Sequence, residues 1–160
     1  MAELPVDATK FAGMSEEQAK TFPRRTLVGD PLSDAQLATM PKMISTDSHV
    51  MEPDELWQEL PKRLSEKLPN VPFRNSPPGA LDANLRLEDQ NNDGVAAEIL
   101  FPNYGMALYG IDDVELQEEG FKLYNDWLTD WCAPDPKRLV GTPLSSVYDP
   151  KAAGKELHRS

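Results

Sequence analysis

Beyond Met43 the apolar positions switch between a strand period and a helix period, and the switches mark the elements. Met43-Ile44-Ser45-Thr46-Asp47-Ser48-His49 has the β-branched content of a short strand, closed off by Pro53. Pro53, followed by Asp54 and Glu55, reads as a helix start. Leu56, Leu60 and Leu64 then recur at i, i+4 and i+8, with Trp57 and Leu68 widening the face, which predicts one helix from there to about Leu68. Residues 69–80 hold Pro69, Pro72, Pro77, Pro78 and Gly79 and are expected as a loop.

Asp82 is placed to cap a helix running through Asp89 or so, with Gly94 suited to a left-handed C-terminal position. Val95 to Phe101 is a compact apolar run ended by Pro102, suited to a parallel strand covered on both faces. Glu98 is discordant in that run, because a carboxylate there needs a partner or a wet cavity. Asp112 and Asp113 open a long helix with the stripe Phe121, Tyr124, Leu128 and Trp131, ended by Pro134 and Pro136. Leu139 to Thr142 predicts a third strand, and Asp149-Pro150 launches a helix from Lys151 in which the sequence stops.

Residues 1–42 differ from the rest. They are polar, carry Pro5, Pro23, Pro31 and Pro41, and are expected as a partly irregular N-terminal extension. Helical signals there are confined to Ser15-Glu16-Glu17-Gln18 and to a weak patch from Ser33 to Met40.

Strands separated by helical crossovers are the signature of a parallel α/β sheet. Three strands cannot close on themselves, and a (β/α)8 barrel takes about 250 residues. A small open sheet is possible by length alone, but the stop inside a helix leads us to expect residues 43–160 to be an incomplete piece of something larger.

Charge and composition narrow the partners. Sixteen Lys and Arg against 27 Asp and Glu leave a net charge of −11, which disfavours nucleic acid and anionic membrane surfaces. No signal peptide or membrane-length apolar run is visible, so a cytoplasmic location is expected. The single cysteine, Cys132, has no His or Cys at ligand spacing and reads as a small buried hydrophobe. Trp57, Trp127 and Trp131 read as helix-to-sheet packing, and His158 as a solvated surface residue. No phosphate loop, Cys-x-x-Cys pair or Gly-x-Ser-x-Gly elbow occurs.

Asp47 and His49 carry the chemistry. At i and i+2 near the C-terminal end of a strand they share a face, so a carboxylate and an imidazole stand side by side. The pair either chelates a divalent ion or simply hydrogen-bonds, and parallel α/β folds place their active sites at that end.

The segment from Ile44 through Asp47, His49 and Glu52-Pro53 to Leu56-Trp57 resembles the opening motif of the amidohydrolase-related family. That family comprises metal-dependent hydrolases and non-oxidative decarboxylases similar to aminocarboxymuconate-semialdehyde decarboxylase. Two later segments are similar to it in the same order, Arg86 to Pro102 and Tyr124 to Gly141.

The resemblance implies a (β/α)8 TIM barrel with one divalent metal, zinc or alternatively manganese, and Asp47 and His49 as its first-strand ligands. It further implies a His on a middle strand and an Asp on the last strand, for which this sequence has no counterpart. The expected function is therefore the N-terminal part of a metal-dependent hydrolase or carboxy-lyase for a small organic substrate, inactive as this chain alone. Asn103 and Tyr104, just past the second strand, are expected at the rim as substrate contacts. Glu52 is either a partner that orients His49 or ordinary N-terminal helix charge. The alternative is a truncated, non-enzymatic copy that associates with partner chains or with itself through open sheet edges.

Overall fold

The structure is a computed structural model and describes residues 33–39, 42–69 and 76–160. The short helix expected at Ser15 and most of the extension lie outside the described residues, as do residues 70–75 of the predicted loop.

The described elements run in the order α1 (Asp34–Thr39), β1 (Met43–His49), α2 (Asp54–Gln58), α3 (Lys62–Ser65), α4 (Pro78–Leu81), α5 (Ala83–Asp93), β2 (Val95–Phe101), a 3-10 helix (Tyr104–Gly110), α6 (Val114–Cys132), β3 (Leu139–Gly141) and α7 (Pro150–Arg159). The three strands form one parallel sheet in the order β1-β2-β3. The parallel α/β expectation holds.

Caps set the helix boundaries as the residue types require. The Asp82 carboxylate accepts from the N–H groups of Asn84 and Leu85, and Gly94 closes α5 in the left-handed region at φ 71. Asp113 caps α6 by accepting from Leu116, and Asp149 caps α7 by accepting from Lys151 and Ala152.

Two element boundaries are corrected. The helix predicted from Pro53 to Leu68 is broken into α2 and α3. Pro61 stands between them, and its ring and missing N–H interrupt the helical ladder. Leu56, Leu60 and Leu64 are nevertheless all buried, so the apolar face survives the break. The loop predicted over 69–80 holds a helical turn, α4, with Pro78 at its first position, where its preset φ favours a helix start.

The core lies between one face of the sheet and the helices, α6 above all. Leu100 and Leu139 from the strands pack with Leu108, Leu116, Phe121, Tyr124 and Leu128, all less than 5% exposed. Each such side chain contributes about 1.5–3 kcal/mol of burial. Among the described residues the other face stays open, contrary to the two-faced burial read from Val95 to Phe101. The described helices pack against one side, so Glu98 and Leu100 are buried while Ala97, Ile99 and Phe101 are half-buried. On that open face Ile44 is 62% and Val140 43% exposed.

Candidate metal-binding site

Asp47 and His49 stand on the open face of β1. The His49 ring lies beside Phe101, its partner across the ladder, with centroids 6.0 Å apart. His49 Nε2 is 3.8 Å from Asp47 Oδ1, and both side chains are more than half exposed. The structure therefore brings the two expected donors together on one surface.

A strict two-residue alternation would also have paired them, but on the opposite, helix-covered side. Ile44 pairs with Ala97 and Ser45 with Glu98, but Ser48 then pairs with Leu100 and His49 with Phe101. Three steps along β1 thus match two along β2, which is a β-bulge of one extra residue. Ser45 and Ser48 consequently share the helix-facing side, their hydroxyls 2.8 Å apart. Counted evenly from Ile44, positions 47 and 49 would fall on the buried side. The bulge turns both outward.

His49 is oriented by the backbone. Its Nδ1 lies 2.9 Å from the carbonyl oxygen of Pro102. That oxygen can only accept, so Nδ1 is the donor, and in the neutral ring the Nε2 lone pair is left on the side facing Asp47. Such a second contact on the far nitrogen is how metal-ligating imidazoles are usually fixed.

Glu52 does not touch His49. It is 2% exposed, and its carboxylate accepts from the N–H groups of Asn103, Tyr104 and Gly105 at 3.1, 2.9 and 2.8 Å. Burial pushes its carboxyl above the ordinary 4.5, and the three N–H donors pull it back. Glu52 thus anchors the loop whose preceding residue, Pro102, holds the imidazole. Both sequence readings of Glu52 miss this, because the link runs through a peptide backbone.

Asn103 and Tyr104 lie in that loop. The Asn103 amide is 3.5 Å from the Met51 thioether, while the Tyr104 hydroxyl donates to the Pro69 carbonyl at 2.6 Å. The Tyr104 ring packs on Trp57 at 4.9 Å, and burial raises its phenol above the ordinary range. Cys132 is buried in the core, its thiol pushed up to about 11.

Glu98 has found its partners beneath the site. Ser48 Oγ donates to it at 3.0 Å and Gln90 Nε2 at 2.8 Å, and Arg86 Nε lies 2.7 Å away as an ion pair. Arg86 Nη2 donates to the His49 carbonyl at 3.0 Å. The only sequence signal for this network was the misfit of a carboxylate in an apolar run.

The arrangement offers two donors to a divalent ion, one carboxylate oxygen and one imidazole nitrogen, an ordinary pairing for such ions. Among the described residues no group of three or more His, Cys, Asp or Glu comes together to hold a metal. A cavity of about 290 Å³ lies between α6 and α7, lined by Phe121, Lys122, Lys155 and Glu156, and takes in none of the predicted site residues. Among the described residues no helix is long and apolar enough to cross a membrane.

Comparison with known proteins gives the same fold. The chain is similar to a 2,6-dihydroxybenzoate decarboxylase from Rhizobium, with 26% identity and a TM-score of 0.50 over 75% of this chain and 35% of that one. A 2,6-dihydroxybenzoate decarboxylase complexed with 2,6-dihydroxybenzoate matches at 25% identity and the same TM-score and coverage. The 5-carboxyvanillate decarboxylase of Novosphingobium aromaticivorans, complexed with manganese and 4-hydroxy-3-methoxy-5-nitrobenzoic acid, shares the fold at a TM-score of 0.54 and 16% identity, over 81% of this chain and 40% of that one. No protein-family model matches the chain, and no curated protein does. The chain therefore spans about a third of the length of the dihydroxybenzoate decarboxylases it matches. The likeness to amidohydrolase-related decarboxylases read from its motifs extends to its structure, a three-stranded part of a TIM barrel.

Proposed function

We propose that this chain supplies the first-strand half of the metal site of a non-oxidative carboxy-lyase acting on a small hydroxylated aromatic acid. The observation that carries this reading is the pairing of Asp47 with His49, Nε2 to Oδ1 at 3.8 Å, with the imidazole proton committed to Pro102. Decarboxylation is favoured over hydrolysis because the similar proteins of 25–26% identity are named as decarboxylases.

Asp47 and His49 would hold a divalent ion, manganese or zinc, whose charge polarises and fixes the oxygens of a carboxylated substrate. His49 contributes a neutral nitrogen held in one tautomer. Asp47 contributes the negative charge that balances the cation. Asn103, whose side-chain amide meets the Met51 thioether at 3.5 Å, offers a donor to a substrate oxygen at the rim. Tyr104 has committed its hydroxyl to Pro69, so it meets substrate through its ring. In the reaction the bond from the ring carbon to the carboxylate breaks, carbon dioxide leaves, and that carbon takes up a proton. Two donors do not complete a catalytic site, so this chain alone is proposed to be inactive, the remaining ligands coming from polypeptide beyond it.

The test is titration of the isotope-labelled chain with Mn2+, and in parallel with Zn2+, followed by NMR. Paramagnetic broadening confined to Asp47 and His49, and lost in Asp47→Ala and in His49→Ala, is the expected result. Uniform broadening, or the same pattern in both variants, removes the metal reading. Carbon dioxide release from 2,6-dihydroxybenzoate is expected at background; turnover would show that the chain needs no further ligands.

A further inference from the structure

The polar network buried under β1 calls for a reason, since a buried ion pair contributes little net stability and an apolar pair of like volume serves a core as well. Glu98 and Arg86 sit on the helix-facing side with side chains only 11% and 12% exposed. Their contacts fall on two consecutive residues of β1. Glu98 takes the Ser48 hydroxyl, and Arg86 takes the His49 carbonyl. Gln90, one helical turn beyond Arg86 on α5, braces the same carboxylate. An apolar residue at position 98 could fill the space but could neither accept from Ser48 nor pair with Arg86.

We propose that Glu98 and Arg86 are positioning residues that pin the β1 bulge between Ser45 and Ser48, and so keep Asp47 and His49 on the open face. The bulge decides which way the pair points, because a slip of one residue exchanges the two faces of a strand. In the regular register Ser48 would lie opposite the network and Glu98 would lose a donor. The ion pair and the outward pair are two faces of one register choice. The ligand role of Asp47 and His49 rests on the proposed function; the orienting role of Glu98 and Arg86 does not.

The experiment therefore has a metal-free arm. The 15N spectrum of the His49 imidazole reports whether Nδ1 or Nε2 carries the proton, in the wild-type chain, Glu98→Ala, Arg86→Lys, and the core variant Leu116→Ala as a control for lost stability. Glu98→Ala and Arg86→Lys should shift the ring towards the Nε2–H form usual in water, and Leu116→Ala should not. In the second arm, the Mn2+ concentration that half-broadens His49 should rise about tenfold or more in the two network variants, as loss of supporting contacts generally costs. If Glu98→Ala keeps the Nδ1–H tautomer as well as Leu116→Ala does, the inference is overturned. If the wild type shows no site-selective broadening, the metal reading falls and the tautomer arm alone decides. If Glu98→Ala gives no dispersed spectrum, Glu98→Gln and Arg86→Lys decide by the same comparison.

Discussion

His49 Nδ1 and the Pro102 carbonyl oxygen meet at 2.9 Å, a contact between the last residue of β1 and the first residue beyond β2. It joins residues 53 apart in sequence and sets the protonation pattern of the ring. In the ion-free protein the imidazole is expected as the Nδ1–H tautomer, read from its 15N shifts. An Nε2–H ring would mean that the Pro102 contact does not hold in solution.

Glu52 should be costly to alter. Its carboxylate takes three backbone N–H groups, and Glu52→Gln turns an amide donor towards at least one of them. A loss of about 2–3 kcal/mol is expected in urea unfolding at neutral pH. The amides of residues 103–105 should also exchange faster. Unchanged stability would mean the anchor is dispensable.

Gly141 packs so closely against α6 that a Cβ there would lie 2.6 Å from the Leu128 side chain. Gly141→Ala is expected to cost about 1–3 kcal/mol by overpacking. Leu128→Ala should cost about 2–5 kcal/mol by cavity formation. The double variant should lose clearly less than the two together, because each change relieves the other. Strict additivity would deny the contact.

The α7 helix is held by charge. Arg159 pairs with Glu156 and with Asp126, and Asn125 donates to Glu156 at 2.9 Å. The Arg159 hydrogen bond pulls the Glu156 carboxyl below its ordinary 4.5. A lowered acid is bound less tightly by protons in the folded chain, so its contribution is present above pH 4.5 and fades as pH falls through the lower folded value. The melting-temperature gap between wild type and Glu156→Gln should therefore be constant above that point and close below it. The gap corresponds to no more than about 1 kcal/mol, since Arg159 is 45% exposed and water screens the pair. A gap that widens on acidification would reverse the assignment.

Local signals read well where one residue type does one job. Asp82, Asp113 and Asp149 cap helices as their side chains dictate, and Gly94 takes the left-handed position. Val95–Phe101 is the strand its apolar run marks out. Signals that depend on which face a neighbour covers read less well. Pro61 breaks the single helix that the leucine periodicity predicts, because the periodicity reports the buried face and not the continuity of the backbone. The 3-10 helix Tyr104–Gly110 carries no periodicity of its own and is held by Glu52 from across the fold.

From its order of residues alone this chain determined its parallel α/β class, most element boundaries, and the candidacy of Asp47 and His49, because capping, periodicity and residue chemistry act over a few positions. The tertiary structure alone decided that the face those two side chains share is the open one. That outcome depends on a bulge held by Glu98 and Arg86, and on a carbonyl at Pro102, groups brought in from β2, α5 and the following loop. Alternation along β1 says only that two residues go together; which side they go to is set by what the neighbouring elements place beneath them.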